Sequence, residues 1–134
     1  MNLSKNFTLE EMLRSDTATR LGFDEQTNPP KDVVDNLEAL CINVLQKIRD
    51  KLGKTVRVVS AYRAPRTNAA VGGVYTIIGG KLVQTSQHCK GEAADIEIWV
   101  DGKECNSLIL AAIKELVNTD KSFKFDQVIK EFSN

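Results

Sequence analysis

The chain has 134 residues, of which 42% are apolar and 27% charged, with 18 basic and 18 acidic side chains. This length predicts one domain with its own core, and the balanced charge excludes a strong field for nucleic acid or an anionic membrane. No apolar run is long enough to span a bilayer, and three scattered cysteines predict free thiols rather than a disulfide framework.

The first predicted element is a helix that begins in "FTLEEMLRS". Thr8 is the predicted cap, and Glu11 three residues later completes a capping box. Phe7 and Met12 occupy the two positions of a hydrophobic staple.

A short helical turn over residues 15–21, ended by Gly22, and the loop "DEQTNPP" lead to the clearest helix, about Lys31 to Leu52. Apolar residues recur in this helix at three- and four-residue steps. They are Val33, Leu37, Leu40, Cys41, Val44, Leu45, Ile48 and Leu52. Gly53, just past the end, is typical of a helix C-terminus.

Strands and turns dominate the next part of the chain. "TVRVVS" (55–60) is rich in β-branched residues and predicts a strand, with a turn and a short helix from Pro65 after it. Residues 74–85 hold two β-rich runs around a Gly-Gly pair, which predicts a hairpin. "EAADIEIWV" (92–100) predicts the next strand.

A helix over about 104–117 and a final strand over 124–132 complete the predicted order. The residues predicted to face inward on this helix are Leu108, Ala112, Ile113, Leu116 and Val117. Helices first and a mainly antiparallel sheet later predict an α+β fold.

The stretch "SQHCKGEAADIEI" (86–98) contains the only histidine, His88, and seven residues later Asp95. A lone histidine is usually a surface or core residue with a satisfied hydrogen bond. Asp95 by itself is equally explained as an ordinary exposed acidic residue of a strand. On a strand, Asp95, Glu97 and Trp99 share one face. Small residues between His88 and Asp95 let a loop imidazole approach the strand carboxylate, a donor pair that suits zinc.

The residues Ser86, His88, Gly91, Ala93 and Asp95 resemble the S-x-H-x-x-G-x-A-x-D motif of zinc D-alanyl-D-alanine carboxypeptidases and related cell-wall peptidases. Those proteins share their fold with the Hedgehog signalling domain. "VRVVSAYRAPRTNAAVGG" resembles the family's S-x-Y-R-x-x-x-x-N-x-x-V-G-G block. "FTLEEMLRSDTA" and "FDQVIKEF" resemble segments nearer the two ends. The resemblance implies a single peptidase-like domain over 1–134 with a Hedgehog/DD-peptidase-like fold.

The resemblance also implies roles for individual residues. His88 and Asp95 are the first two zinc ligands. Arg63 holds a substrate carboxylate or stabilises an oxyanion, for which a guanidinium is well suited, although a surface salt bridge is its other reading.

Three further residues are implied at the substrate. Ser86 and Gln87 shape the ligand loop, and Tyr62 either lines the cleft or belongs to the core. Asn68 and Gly73 hold the loop that precedes the hairpin rather than perform chemistry.

The sequence departs from the family pattern at the third zinc ligand. In the family this is a histidine of a W-x-H-type segment after the strand that "FDQVIKEF" resembles, and the sequence stops at Asn134, before such a segment. Cys89 and Cys105 are possible thiolate donors outside the family's ligand positions. Glu131 is the catalytic acid/base, a substitute ligand or a polar strand residue.

The hairpin at 74–85 is a second departure, because many relatives have a short connection there. It either forms a flap over the cleft or decorates the surface.

These observations predict a zinc-dependent peptidase of peptidoglycan stem or cross-bridge peptides, either a D-Ala-D-Ala carboxypeptidase or an endolysin-like endopeptidase. With two zinc ligands, little activity is expected of the 134 residues. The alternative is a catalytically dead module that binds wall peptides, and a structural or regulatory domain with an accidental motif is a third reading.

The sequence also predicts a monomer without nucleic-acid or membrane partners. Its N-terminus lacks the apolar region of a signal peptide, which predicts a cytoplasmic protein as synthesised. Such a protein reaches the wall through phage-type lysis or acts in muropeptide recycling inside the cell.

Overall fold

The computed structural model describes residues 1–121 and 123. The α-helices of this part of the chain are α1 Leu9–Leu13, α2 Asp16–Leu21, α3 Lys31–Leu40, α4 Gln46–Leu52, α5 Pro65–Ala70 and α6 Asn106–Thr119. The strands are β1 Asn2–Ser4, β2 Phe7–Thr8, β3 Arg57–Ser60, β4 Tyr75–Ile78, β5 Lys81–Gln84, β6 Asp95–Glu97, β7 Trp99–Val100 and β8 Lys103–Glu104.

The described strands pair two by two, and every pair is antiparallel: β1 with β2, β3 with β6, β4 with β5, and β7 with β8. Helices combined with small antiparallel sheets are compatible with the predicted α+β class. The single sheet expected from the sequence is divided into these two-stranded units within the described residues.

The N-terminal predictions are confirmed. Thr8 Oγ1 accepts a hydrogen bond from the backbone N–H of Glu11, and Glu11 Oε1 accepts one from the backbone N–H of Thr8, each at 3.2 Å. Both staple residues, Phe7 and Met12, are buried. Gly22 ends α2 in the left-handed conformation that a glycine adopts without strain.

The long helix predicted over 31–52 is also confirmed, with an irregularity that the apolar spacing does not reveal. A π-helical turn, Cys41–Leu45, joins α3 to α4 without a break in helical backbone. Such a turn admits one extra residue per turn while the buried face stays continuous. Cys41 lies on that face, and burial raises the pKa of its thiol to about 12.

The strand predicted over 92–100 is interrupted at Ile98. This buried residue donates its backbone N–H to Asn106 Oδ1 at 3.3 Å and accepts from the backbone N–H of Cys105 at 2.8 Å. The start of α6 therefore takes the hydrogen bonds that a continuing ladder would use. The predicted single strand is therefore divided into β6 and β7.

The inward face predicted for α6 is partly wrong. Ile109 is fully buried and belongs to the core, whereas Leu108 and Val117 are exposed. The helix is rotated relative to the predicted face, although Ala112, Ile113 and Leu116 do lie inward.

The hairpin prediction for 74–85 is confirmed by β4 and β5, with Ile78 opposite Lys81 across the Gly-Gly turn. The predicted final strand over 124–132 lies outside the described residues. The three cysteines are free thiols, as expected.

The core lies where the long α3–α4 helix, α1, β3 and α6 meet. Its largest fully buried apolar side chains are Phe7, Met12, Leu37, Ile48, Ile98 and Ile109. In the part of the chain that the structure describes, no helix has the length and apolar character needed to cross a membrane.

Candidate metal centre

The loop that carries His88 is held from both of its ends. Ser86 caps a 3-10 turn, Gln87–Lys90, and its Oγ accepts a hydrogen bond from the backbone N–H of His88 at 3.2 Å. Gly91 ends the turn at a φ of 73°, a conformation that favours glycine. The imidazole is therefore fixed by local backbone geometry.

The same loop packs closely on α3. A side-chain carbon added at Gly91 would lie 2.7 Å from the carbonyl oxygen of Val33, so only glycine fits without a shift of the backbone. Asn36 Nδ2 donates to the carbonyl oxygen of Lys90 at 2.8 Å. The glycine of the motif thus allows the loop to rest against the helix.

The β3–β6 pair places Asp95 beside the loop. Asp95 lies opposite Ser60 at the end of β3, where the register is irregular. The next residue, Ala61, accepts a hydrogen bond from His88 Nδ1 at 2.6 Å. The ring is therefore tied to the residue that follows β3, while the carboxylate comes from β6.

This hydrogen bond determines which nitrogen of His88 carries the proton. A carbonyl oxygen can only accept, so Nδ1 must donate, and in the neutral ring Nε2 is the acceptor. Nε2 lies 3.7 Å from Asp95 Oδ2. Burial, with a smaller contribution from the Arg63 charge, lowers the pKa of His88 against the opposing effects of the Ala61 hydrogen bond and the Asp95 charge. A neutral ring in this tautomer and a carboxylate are both chemically able to act as metal donors.

The two donors fit a zinc ion. Zinc binds imidazole nitrogen and carboxylate oxygen at about 2.0–2.2 Å, so atoms 3.7 Å apart can share one ion. A histidine ligand ordinarily donates its other N–H to a carbonyl or carboxylate, as His88 does to Ala61. Within residues 1–121 and 123, no group of three or more His, Cys, Asp or Glu side chains could hold a metal.

Arg63 is brought to the same place by its backbone and its side chain. Its N–H donates to the carbonyl oxygen of His88 at 3.1 Å, and its Nη2 donates to Ser86 Oγ at 3.4 Å. Its Nε is buried without a hydrogen bond to the described residues. These contacts place Arg63 against the loop that carries His88.

Gln26 supports Arg63 and was not identified from the sequence. This buried side chain donates from Nε2 to the carbonyl oxygens of Leu13 and Tyr62, each at 2.8 Å, and accepts from the backbone N–H of Ala64 at 2.9 Å. It therefore holds the backbone on both sides of Arg63. In the sequence it stands within "DEQTNPP", where nothing distinguishes it from an exposed loop residue.

The remaining predicted site residues are distributed as follows. Tyr62 is buried in the core, where burial raises the pKa of its phenol, so its role in substrate binding stays a prediction. Gln87 is half-buried, and its backbone carbonyl oxygen accepts a hydrogen bond from the backbone N–H of Glu92 at 3.1 Å. Glu131 lies outside the described residues.

A cavity of about 840 Å³ lies elsewhere, between α1, α2 and the 3-10 turn Asp24–Thr27. Neither His88 nor Asp95 lines it, although Gln26 does. Its volume alone does not indicate a reaction, and the donor geometry at His88 is the stronger indication of chemistry.

Among protein families, a family model described as Peptidase M15 matches residues 5–127, which include every described residue of the candidate centre. No curated protein and no solved structure matches the chain.

Proposed function

The chain belongs to the Peptidase M15 family of zinc peptidases, and we propose that it binds zinc through His88 and Asp95 and cleaves peptides of the bacterial cell wall. The observation that carries this proposal is the 3.7 Å approach of His88 Nε2 to Asp95 Oδ2, with Nδ1 committed to Ala61. The proposal includes the Hedgehog/DD-peptidase fold, which the order of helices and antiparallel strands supports.

Each residue has a distinct part in the proposed reaction. Bound zinc supplies Lewis acidity and a nucleophile at neutral pH. His88 and Asp95 hold the metal, while Ala61 fixes the tautomer and the orientation of the ring. Arg63 lies next to both and offsets negative charge on a substrate carboxylate or on the reacting carbonyl.

The position of Arg63 depends on the buried Gln26 network and on Ser86. Gln26 fixes the backbone on both sides of Arg63, and Ser86 Oγ accepts from its guanidinium at 3.4 Å, so the side chain has less freedom to lose when an anion binds. We therefore assign Gln26 and Ser86 as positioning residues and keep the substrate contact for Arg63.

A second candidate function is a protein that binds wall peptides without cutting them. The observation that favours it is that, among the described residues, no third His, Cys, Asp or Glu joins His88 and Asp95. Incubation of the zinc-loaded protein with a D-alanine-terminated peptide separates the two candidates. Release of D-alanine or of a shorter peptide supports the peptidase, and binding without release supports the second function.

Metal binding tests the site directly. Cobalt(II) titration of the full chain, followed by visible absorption and by displacement with zinc, measures the affinity of the wild type, His88→Ala and Asp95→Asn. Asp35→Asn is the matched control, because this exposed acid pairs with Lys31 on α3. We expect both site variants to lose cobalt absorption and the control to keep it. Wild-type affinity in Asp95→Asn would contradict the assignment.

A further inference from the structure

A buried asparagine links the segment that carries Arg63 to the β4–β5 hairpin. Asn68, in α5, is fully buried, and its backbone N–H donates to the carbonyl oxygen of Ala64, the residue after Arg63, at 2.9 Å. Its side-chain Nδ2 donates to the carbonyl oxygen of Val74 at 3.1 Å and to Gln84 Oε1 at 2.5 Å. Val74 lies just before β4 and Gln84 ends β5. The sequence indicated a role in the loop before the hairpin, but this one side chain holds both ends of the hairpin.

Gly73 leaves the space that the side chain of Asn68 occupies. Its backbone N–H donates to the carbonyl oxygen of Asn68 at 2.8 Å, which keeps the two residues in contact. A side-chain carbon added at Gly73 would overlap the carboxamide of Asn68, with Nδ2 only 2.7 Å away. Gly73 does not have a positive φ. The need for glycine at this position therefore comes from the contact with Asn68 and not from the backbone conformation.

A short path connects the base of the hairpin to the candidate metal centre. The carbonyl oxygen of Val74 accepts a second hydrogen bond, from the backbone N–H of Thr85, at 3.1 Å. Thr85 is followed directly by Ser86. The Oγ of Ser86 accepts hydrogen bonds from the backbone N–H of His88 at 3.2 Å and from Arg63 Nη2 at 3.4 Å. The hydrogen bonds at the base of the hairpin therefore influence where Ser86 lies.

The amide of Asn68 is satisfied on one side only. Its Nδ2 makes the two hydrogen bonds to the hairpin, whereas its Oδ1 is buried without a hydrogen-bond partner among the described residues. A buried amide in this state adds little net stability compared with an apolar side chain of similar shape. The contribution of Asn68 is therefore directional, because it determines where the two ends of the hairpin lie relative to α5.

We propose that Asn68 is a positioning residue of the metal centre, an inference that rests on the proposed function. It fixes Ser86 relative to the segment of Arg63 and thereby fixes the direction of the His88 ring. When the two donated hydrogen bonds are lost, Thr85 still closes the hairpin, but the hairpin can pivot about α5 and displace Ser86. The imidazole then loses its alignment with the carbonyl group that holds Nδ1, and Nε2 is less well directed at a metal.

Three variants separate this role from the general packing of α5. Asn68→Leu keeps a similar shape and removes both donated hydrogen bonds, whereas Gly73→Ala leaves Asn68 unchanged and displaces its carboxamide. Thr67→Val is the matched control. Thr67 lies on the same helix, is equally buried and has a hydroxyl without a hydrogen-bond partner among the described residues. Circular dichroism and urea unfolding verify that each variant is folded.

Two measurements follow the metal centre in these variants. His88 is the only histidine, so NMR of the metal-free protein labelled with ¹⁵N-histidine shows one imidazole and reports the hydrogen bond from Nδ1 to Ala61. Cobalt(II) titration measures the affinity for metal. We expect Asn68→Leu and Gly73→Ala to shift the ring signals and to weaken cobalt binding about tenfold. Thr67→Val is expected to match the wild type in both measurements.

Wild-type ring signals and wild-type affinity in both Asn68→Leu and Gly73→Ala would overturn the inference and leave the proposed zinc site intact. Equal changes in Thr67→Val would overturn it as well, because the packing of α5 would then be the cause. If the wild type binds no cobalt, the proposed metal site fails, and the ring signals of the metal-free variants still decide whether Asn68 orients His88. If Asn68→Leu does not fold, Gln84→Ala replaces it, with a smaller shift of the same signals expected.

Discussion

At the scale of single residues, Gly91 determines how closely the ligand loop approaches α3. It has a φ of 73°, and an added side-chain carbon would lie 2.7 Å from the carbonyl oxygen of Val33. Gly102 has a similar φ of 78°, but an added carbon there meets nothing within 4 Å. Alanine substitutions at these two glycines therefore separate the free-energy cost of the left-handed backbone from the cost of the close contact with Val33.

We predict that Gly91→Ala lowers the free energy of unfolding by about 1–3 kcal/mol more than Gly102→Ala does. Both variants bear the cost of a left-handed alanine, and only the first also displaces the loop from Val33. Urea denaturation measures the difference. If the two variants lose equal free energy of unfolding, the loop of Gly91 can move away from Val33 without a cost in stability.

Glu25 gives the fold a pH-dependent contact. A bidentate interaction with Arg66, whose guanidinium also stacks on Phe23, lowers the pKa of Glu25 from 4.5 to about 2. Because the folded form holds this proton less tightly, the contact stabilises the protein above about pH 4.5 and is lost as the pH falls towards 2.

We therefore predict that Glu25→Gln lowers the urea midpoint near neutral pH and that the difference from the wild type shrinks on acidification. The effect is small because both side chains are exposed. In an Arg66→Gln background the same substitution is expected to change nothing. A pH-independent difference would exclude the ion pair as its source.

At the scale of elements, local signals were sufficient to place the α-helices of the N-terminal half. The capping box, the three- and four-residue apolar spacing and the terminal glycines each act within one or two turns, so the sequence contains them completely. They do not determine how a helix is rotated about its axis when apolar residues surround it. In α6, "SLILAAI" offers adjacent faces of similar hydrophobicity, and tertiary packing selects the face of Ile109.

This selection predicts unequal costs for two neighbouring substitutions. Ile109→Ala is expected to lower the free energy of unfolding by about 2–5 kcal/mol, because it opens a cavity in the core. Leu108→Ala, at an exposed position, is expected to cost under about 1 kcal/mol. Thermal and urea unfolding of both variants provide the check, and a larger loss for Leu108→Ala than for Ile109→Ala would place α6 in the orientation first predicted.

The interruption at Ile98 has a comparable origin. The alternating residues of 92–100 favour a single strand, and no local feature shows that the start of α6 will bind the backbone of Ile98. The resemblance to the peptidases likewise led to His88, Asp95 and Arg63 but not to Gln26. The importance of Gln26 comes from carbonyl groups 13 and 36 residues away along the chain.

At the scale of the whole molecule, the candidate centre joins distant parts of the chain. His88 contacts Ala61, Asp95 pairs across from Ser60, and the loop rests on Val33. Any ligand of this centre therefore binds the folded chain in preference to the unfolded one and stabilises the fold.

We predict that zinc at about one hundred times its dissociation constant raises the free energy of unfolding by about 2.7 kcal/mol. The thermal midpoint should rise with zinc and return on addition of a chelator, while magnesium at the same concentration has no effect. His88→Ala should abolish the zinc response. An equal rise in that variant would indicate binding elsewhere.

The closed base of the β4–β5 hairpin determines how well the segment before the metal loop tolerates a change in length. Thr85 donates its N–H to the carbonyl oxygen of Val74, so a hydrogen bond at the base joins the two ends of the hairpin. For a flexible loop the entropic cost of closure grows only with the logarithm of its length, about 0.6 kcal/mol for each doubling. Insertions at the Gly79-Gly80 tip should therefore leave the metal loop in place and alter only the reach of the hairpin, which makes the tip a suitable position for engineered extensions.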